Sequence, residues 1–554
     1  MHLSEDTRIQ FWLLVFISLA FLWAVPSVWF FQPDSGIYVG TAAELLATGR
    51  YVFNGHPNLL YFPGLSVPLA GLIGIFGMNF QVLNLLGGAA VVAALWLSRS
   101  LFAPACYGWP GWWVPLLLAC ASVLQEQVQR IMSDALFLAV TLAALLCWRL
   151  YLERERRGWL IACWLLVAWA PLLRFQGVFL VGAFGLALLW RAWRTGEGRS
   201  RRIVWALLLA LSAGVPFFLW LGRNYLLYTP ETYNMANAFF FGQSGLRLYA
   251  PDSGTMDKVT PDWLSGGKLV LYHALFTFRD LFEIFFGKEL GGSVGLYGKA
   301  AVVLLPLLAG GWRWLRRAGL MEAAYVLVSL AFIASQWFGS GSAYTVPRYW
   351  IPLLPFVLLI WMSGLALVGG YLRERVLATP ARALGLMVLA LVLGNGAYGY
   401  ARLIHPWHHN YYANANAWVG DVKAYLDTHA APDAMVAVTD WGVMPFLLQR
   451  PSIQVLDDPS HVYSLERLVR YRARYLVILD KEAAFPPYAK AMVKDLPEVF
   501  HLVLDARKAG KPGPDIEVYA VDLDRAEKAL AGLRGTGKRV GGSGLNPPAT
   551  PSPD

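Results

Sequence analysis

The chain has 554 residues, 57% of them hydrophobic and 15% charged, with a formal net charge of +10. Soluble domains carry roughly a quarter charged residues, so this composition excludes an ordinary water-soluble globule and makes lipid the solvent for much of the apolar surface. The positive excess does not point to nucleic acid, because the arginines gather at the ends of apolar spans and not along one face.

The first apolar run, Phe11 to Phe31, is longer than a signal-peptide core and ends in Trp29-Phe30-Phe31-Gln32 without a small-residue cleavage site. It predicts a retained first helix. Arginine clusters follow at Arg99, at Arg149 to Arg157, at Arg191 to Arg202, at Arg313 to Arg317, and at Arg373 and Arg375. Cytoplasmic loops collect such residues. With the N-terminus inside, helices near 11–31, 80–103, 109–127, 135–152, 159–173, 175–193, 203–221, 298–315, 320–338, 349–371 and 383–402 put every cluster on the cytoplasmic side. That gives about 11 crossings and a mostly α, polytopic helix bundle. The count requires that Pro63 to Met78 does not cross. At about 15 residues, with Pro63, Pro68 and several glycines, this run is short for a span and suits a re-entrant or interfacial segment. The outer loops are then 32–79 and 222–297, together with everything after Arg402. The four cysteines, Cys106, Cys120, Cys147 and Cys163, all lie in the membrane half and suggest neither a disulfide framework nor a zinc spacing.

Beyond about residue 404 the pattern changes. Short β-branched runs, Met435 to Val438, Ile453 to Leu456, Tyr475 to Leu479, Phe500 to Leu504 and Ile516 to Val521, alternate with helical stretches at Trp418 to Leu426 and Leu465 to Tyr471. This predicts a small α/β domain over 404–530, outside the cytoplasm, after a membrane module over 1–403. Residues 531–554, rich in Gly, Pro, Ser and Thr, read as a disordered tail.

Ionisable residues on the outer side of the membrane half are few. Asp34 follows the first helix in Gln32-Pro33-Asp34-Ser35-Gly36-Ile37-Tyr38. A carboxylate at the lipid–water boundary can take a proton from an incoming hydroxyl; it can equally be the N-cap of a helix over Gly36 to Thr48. Arg348 and Tyr349 open an apolar span that contains Pro352 and Pro355. A forked guanidinium suits a phosphate, and an arginine snorkelling beside aromatic anchors is the plain alternative. Asp134 begins a helix in Arg130-Ile131-Met132-Ser133-Asp134, where it or Ser133 reads as the N-cap. Arg174 lies between two apolar spans. His405, His408 and His409 have no helix in evidence that would pair them on a metal. His56 shares the loop of Asp34 without making a metal site. Loop 222–297 carries Arg223, Lys268, Arg279 and Glu283 among others, and nothing ranks them.

The ordered set Asp34-Ser35-Gly36-Ile37-Tyr38, Gly49-Arg50-Tyr51, Tyr61-Phe62-Pro63-Gly64, Met132-Ser133-Asp134, Leu173-Arg174-Phe175-Gln176-Gly177 and Pro347-Arg348-Tyr349 resembles the GT-C class of glycosyltransferases. The likeness is to the branch of protein O-mannosyltransferases and the lipid A aminoarabinose transferase. The resemblance implies a membrane enzyme that moves a sugar from a polyprenyl-phosphate carrier to a lipid, glycan or protein acceptor at the extracytoplasmic face of the inner membrane. It implies Asp34 as general base, Asp134 in support, Arg348, Tyr349 and Arg174 around the carrier phosphate, and Tyr38, Arg50, His56 and Tyr61 along the loop. A divalent metal requirement varies within the class. Ser35 stands where many relatives carry a second acid. The composition is also that of a transporter or lipid flippase, whose charges would lie near the bilayer midplane with internal repeats, or of an inactive scaffold whose soluble domain does the binding.

Overall fold

The structure is a computed structural model that describes residues 5–30, 32–53, 56–59, 61–103, 107, 109–194, 198–227, 263–286, 295–335, 346–375, 378–439, 447–450, 452–455, 461–480, 488–506, 511–512 and 514–535. Helices come first in the chain: α1 (Glu5–Trp23), α2 (Pro33–Thr48), α3 (Pro63–Phe76), α4 (Phe80–Leu101), α5 (Trp109–Cys120), α6 (Ser122–Glu126), α7 (Ser133–Arg154), α8 (Arg157–Leu173), α9 (Gly177–Arg194) and α10 (Arg199–Leu226). They continue as α11 (Trp263–Phe286), α12 (Leu296–Leu315), α13 (Leu320–Ser335), α14 (Val346–Trp350), α15 (Leu354–Arg375), α16 (Ala378–Leu403) and α17 (Pro406–His429). A two-stranded ribbon, β1 (Val52–Phe53) and β2 (His56–Pro57), joins α2 to α3. Among the described residues, five helical stretches are long and apolar enough to cross a membrane, at 80–101, 133–154, 177–194, 199–226 and 348–367.

The apolar periodicity locates the helices well, and the departures have physical causes. The first helix stops at Trp23 and not near Phe31, because Pro26 cannot donate to a continuing helix. Residues 24–30 then run without regular structure, with Ala24, Val25 and Phe30 buried and Trp29 fully so. Such backbone is tolerable at membrane depth only if protein satisfies it: Asn84, buried on α4, donates its side-chain amide to the carbonyls of Pro26 and Val28, each at 3.0 Å. The span expected over 109–127 breaks after Cys120, where the Gln125 amide bridges the carbonyls of Ala119 at 3.0 Å and Gly396 at 2.9 Å. The span expected over 349–371 opens with the short α14 and a 3-10 turn, Ile351–Leu353, as its prolines dictate. Helix α3, at 14 residues, is about 21 Å long, short of the roughly 30 Å of a bilayer core. Loop 222–297 is not all loop. Helix α10 runs on to Leu226, and α11 is a 24-residue helix whose Leu281, Phe282 and Phe285 are buried. Residues 228–262 and 287–294 of that loop lie outside the described residues, as does Cys106.

The described residues form two compact units, the first over 5–227 and 263–416, the second over 417–535. In the second, a five-stranded sheet has the order β4 (Ser452–Gln454), β3 (Val436–Val438), β5 (Tyr475–Asp480), β7 (Asp515–Val521), β6 (Phe500–Asp505). Strand β3 is parallel to β4 and β5, while β7 runs antiparallel to β5 and β6. The core gathers Leu465 and Leu468 of α18 (Val462–Arg470), Met492 of α19 (Tyr488–Asp495), Leu530 of α20 (Leu523–Gly535), and Leu476, Ile478 and Phe500 of the sheet. The last helix therefore continues to Gly535, into the stretch from 531 expected to be a disordered tail; residues 536–554 lie outside the described residues. A helix also starts at Pro406, where none was evident beside the histidines. His405 precedes it, and the side chains of His408 and His409 are outside the described set.

Helix α17 ends on a buried guanidinium. Arg450, 4% exposed, donates to the carbonyls of Leu426 at 3.0 Å, Ala430 at 3.3 Å and Ala431 at 2.6 Å, and pairs with Asp427 at 2.9 Å. The Leu426 carbonyl also accepts from the Ala430 N–H and the Ala431 carbonyl from the Ala434 N–H, each at 2.9 Å, so the guanidinium fills their second lone pairs at the helix end. Arg450→Met is expected to destabilise this unit by about 2 kcal/mol, seen as earlier proteolysis of the C-terminal part of the full-length protein under graded urea.

Candidate active site

Two carboxylates stand at equivalent places, the second residue of a helix. Helix α2 starts at Pro33 after an extended Gln32, and α7 at Ser133 after an extended Met132, so Asp34 and Asp134 each lie in a first turn, where the helix dipole favours negative charge. Asp34 is therefore not the N-cap that its sequence allows. The turn is closed by Ser35, whose hydroxyl donates to the Gln32 carbonyl at 2.7 Å and accepts from the Gln32 N–H at 3.2 Å and the Trp29 indole at 3.0 Å. That frees the Asp34 carboxylate to turn elsewhere.

It turns to Arg348. Nη1 of Arg348 lies 2.6 Å from Asp34 Oδ2, and Nη2 lies 2.9 Å from Asp134 Oδ2. Arg174, the residue that ends α8 in an extended conformation, places Nη1 2.7 Å from Asp134 Oδ1. The four side chains form an alternating row, Arg174, Asp134, Arg348, Asp34, with two positive and two negative charges. The inner half, Arg174 at 14% and Asp134 with none, is less exposed than the outer half, Arg348 at 32% and Asp34 at 22%.

The row is flanked by tyrosines. Tyr61 donates its hydroxyl to Asp34 Oδ1 at 2.7 Å, and the Tyr38 hydroxyl shares a 3.1 Å hydrogen bond with Ser133, beside Asp134. The two rings meet edge to face at 5.1 Å. Burial pushes the Tyr38 phenol up to about 12, and burial with the adjacent Asp34 charge pushes Tyr61 well above its ordinary value. Both stay neutral donors through the physiological range.

Glycine sets the approach of the elements. A Cβ on Gly64 would lie 2.5 Å from the Leu172 carbonyl of α8, and one on Gly177 would lie 2.2 Å from the Ala170 carbonyl carbon. The motifs ending in Gly64 and Gly177 thus mark where α3 and the start of α9 press on the end of α8 that carries Arg174.

Of the residues singled out from sequence, Asp34, Asp134, Arg174, Arg348, Tyr61 and Tyr38 come together. Tyr349 does not join them: its ring packs on Phe332 at 5.4 Å, and its carbonyl accepts from Gln176 at 3.3 Å. Arg50 is exposed at the end of α2, where its backbone N–H bonds Thr48. His56 is placed by its backbone alone, in β2; its side chain is outside the described set. Ser133 was not singled out as a partner for Tyr38, since a cross-chain hydroxyl pair leaves no trace in either segment.

In this arrangement the acids of the row offer a divalent cation no open oxygen. Ser35, where relatives carry a second acid, has its donor and both lone pairs in use. All four oxygens of Asp34 and Asp134 face a guanidinium or a phenol. Among the described residues no three His, Cys, Asp or Glu side chains converge.

No family profile and no curated protein matches the sequence. Solved structures do. ArnT, the lipid A aminoarabinose transferase of Cupriavidus metallidurans, in the apo state has a TM-score of 0.53 at 15% identity, over 94% of this chain and 99% of that one. The same protein bound to undecaprenyl phosphate scores 0.52 at 16% identity, over 94% and 98%. The Archaeoglobus fulgidus oligosaccharyltransferase, in complex with Zn and sulfate, scores 0.50 at 12% identity, over 90% and 73%. The likeness is one of fold. The chain shares the fold of these structures, and among its described residues five helices are long and apolar enough to cross a membrane.

Removing one partner of a fully buried charge costs about 3–5 kcal/mol. Arg174→Leu leaves Asp134 with Arg348 alone and is expected to lower the unfolding temperature of the detergent-solubilised protein clearly. Pairing it with Asp134→Leu should recover part of the loss, because no charge then remains unpaired there.

Proposed function

We propose that the protein is a membrane glycosyltransferase that moves a sugar from a polyprenyl-phosphate carrier to an acceptor hydroxyl at the extracytoplasmic face of the inner membrane. The observation that carries the reading is the convergence of Asp34 and Arg348, 314 positions apart in sequence, at 2.6 Å. A base and a phosphate-binding cation are the two groups such a transfer needs. The GT-C architecture and the undecaprenyl phosphate held by ArnT point to the same donor class. In the proposed topology about 11 helices cross, with the N-terminus inside, 1–403 as the catalytic module and 404–530 outside.

In the reaction the acceptor oxygen attacks the anomeric carbon of the donor, and its proton passes to Asp34. The bond from that carbon to the phosphate oxygen breaks, and its electron pair goes to the phosphate, where Arg348 compensates the charge released. Direct attack inverts the anomeric centre. Asp134 and Arg174 hold Arg348 from behind. Because the carboxylates of this site are already engaged by guanidinium and phenol groups, no step is routed through a metal. A transporter is supported less well, since these charges form one closed row and not a track.

Arg348 is shared. Its Nη1 serves Asp34 in the resting site, so a carrier phosphate must compete with that carboxylate. Three outcomes are expected of purified protein supplied with a panel of polyprenyl-phosphate sugars and with undecaprenyl phosphate. Asp34→Asn should lower turnover, read as free carrier phosphate, by about 10²–10⁴-fold. The same variant should bind undecaprenyl phosphate about tenfold more tightly, because the competitor has lost its charge. Arg348→Ala should abolish that binding. Full turnover by Asp34→Asn would remove the base assignment, and unchanged binding by Arg348→Ala the phosphate site.

A further inference from the structure

When the donor phosphate takes Arg348, Asp34 loses one of its two partners. What remains is Tyr61, bonded to the other oxygen. Tyr61 is held through its backbone as well. Its N–H donates to Asn58 Oδ1 at 3.1 Å, and its carbonyl accepts from the Tyr51 hydroxyl at 3.1 Å. Asn58 is itself tied to Thr41 of α2 at 2.9 Å, so the loop and the helix carrying Asp34 share a fastener.

The other end of this brace is Arg223, in the last turn of α10. Its guanidinium donates to the carbonyls of Tyr51 at 2.9 Å and Asn58 at 3.2 Å and to the Asn224 side chain at 2.8 Å, while lying 4.5 Å over the Trp220 ring and 5.6 Å over Tyr51. Asn224 adds a bond to the Leu59 carbonyl at 2.9 Å. Among the described residues the acceptors of Arg223 are neutral oxygens, so this guanidinium serves backbone shape there. A forked donor spanning two carbonyls is a geometry lysine cannot copy.

We infer that Tyr61 is a positioning residue for Asp34, kept in place by Arg223, and that it retains the carboxylate in line and ionised once the carrier phosphate has drawn Arg348 away. This rests on the roles proposed for Asp34 and Arg348. A hydrogen bond donated to a carboxylate favours its charged form. The groups that face Asp34 are Arg348, Tyr61 and Tyr38, with Asp134 beyond Arg348. Of these, Tyr61 alone both reaches Oδ1 and is fixed by a brace independent of the charge row.

The test reads Asp34 itself. A membrane-permeant carbodiimide modifies carboxyls in their protonated form, and peptide mass spectrometry of the full-length protein gives the labelling of Asp34 against pH, with undecaprenyl phosphate present. Tyr61→Phe keeps the ring and is expected to move the labelling midpoint upward, since a donor to the carboxylate is lost. Arg223→Met should shift it in the same direction with Tyr61 still present, and Arg223→Lys by less. A Tyr61→Phe midpoint equal to that of the wild type would overturn the anchoring role. A shift in Tyr61→Phe with none in Arg223→Met would overturn the brace. Neither result bears on the base assignment, which stands or falls on turnover by Asp34→Asn.

Discussion

The arrangement of the membrane unit follows from one demand, that a carboxylate with no exposed surface be neutralised. Asp134 opens a helix that buries most of its length, and an isolated ion there would cost many kcal/mol. Two guanidiniums answer it from elements remote in sequence, Arg174 at the end of α8 and Arg348 on the short α14. Meeting both requires α8 to stop at Leu173 and the chain before α15 to break into short turns. It also requires close backbone approaches, which Gly64 and Gly177 permit.

The same demand leaves a residue that can act. Arg348 cannot be saturated by Asp134 alone, because its fork presents a second Nη away from the buried acid, and Asp34 takes it. The inner pair, with Asp134 wholly buried and Arg174 mostly so, serves structure. The outer pair is partly exposed and can exchange partners. The difference in exposure between the two halves of the row therefore separates a fixed half from a labile half, and the proposed chemistry lies in the labile half.

How far this was legible in the sequence depends on what kind of signal each feature leaves. Apolar length and arginine clusters located most helices to within a few residues, and β-branched runs located all five strands of the C-terminal sheet. Breaks held by remote side chains were not legible. Nothing in Trp23 to Phe30 announces that Asn84 will satisfy its carbonyls, and nothing in Cys120 to Glu126 announces Gly396. Helix α11 was read as loop because Lys268, Arg279, Asp280 and Glu283 interrupt its apolar pattern; in the fold, Arg279 and Asp280 pair with each other, and Glu283 pairs with Lys299 of α12. The four charged site residues could be named as candidates, since each is an ionisable group at the end of an apolar run. Their pairing could not, because it depends on how the helices pack. The cap reading of Asp34 failed for a local reason: Pro33 takes the first helical position, which moves the start of α2 forward and hands the cap to Gln32 and Ser35.

The charges of the row also share a placement that packing alone does not explain. Both carboxylates sit in the first turn of a helix, and Arg174 closes the C-terminus of one. Helix N-termini carry partial positive charge and C-termini partial negative charge. Each of these three groups is thus stabilised by its own helix before it meets its partner, and the ion pairs add to a bias already present in the backbone. Arg348 differs. It lies near the start of the helical run that leads through the 3-10 turn into α15, an end that offers a cation no favourable partial charge, and the carboxylates hold it to the row. In a row whose other members are anchored twice, the residue anchored once is the one that an incoming anion can most readily recruit.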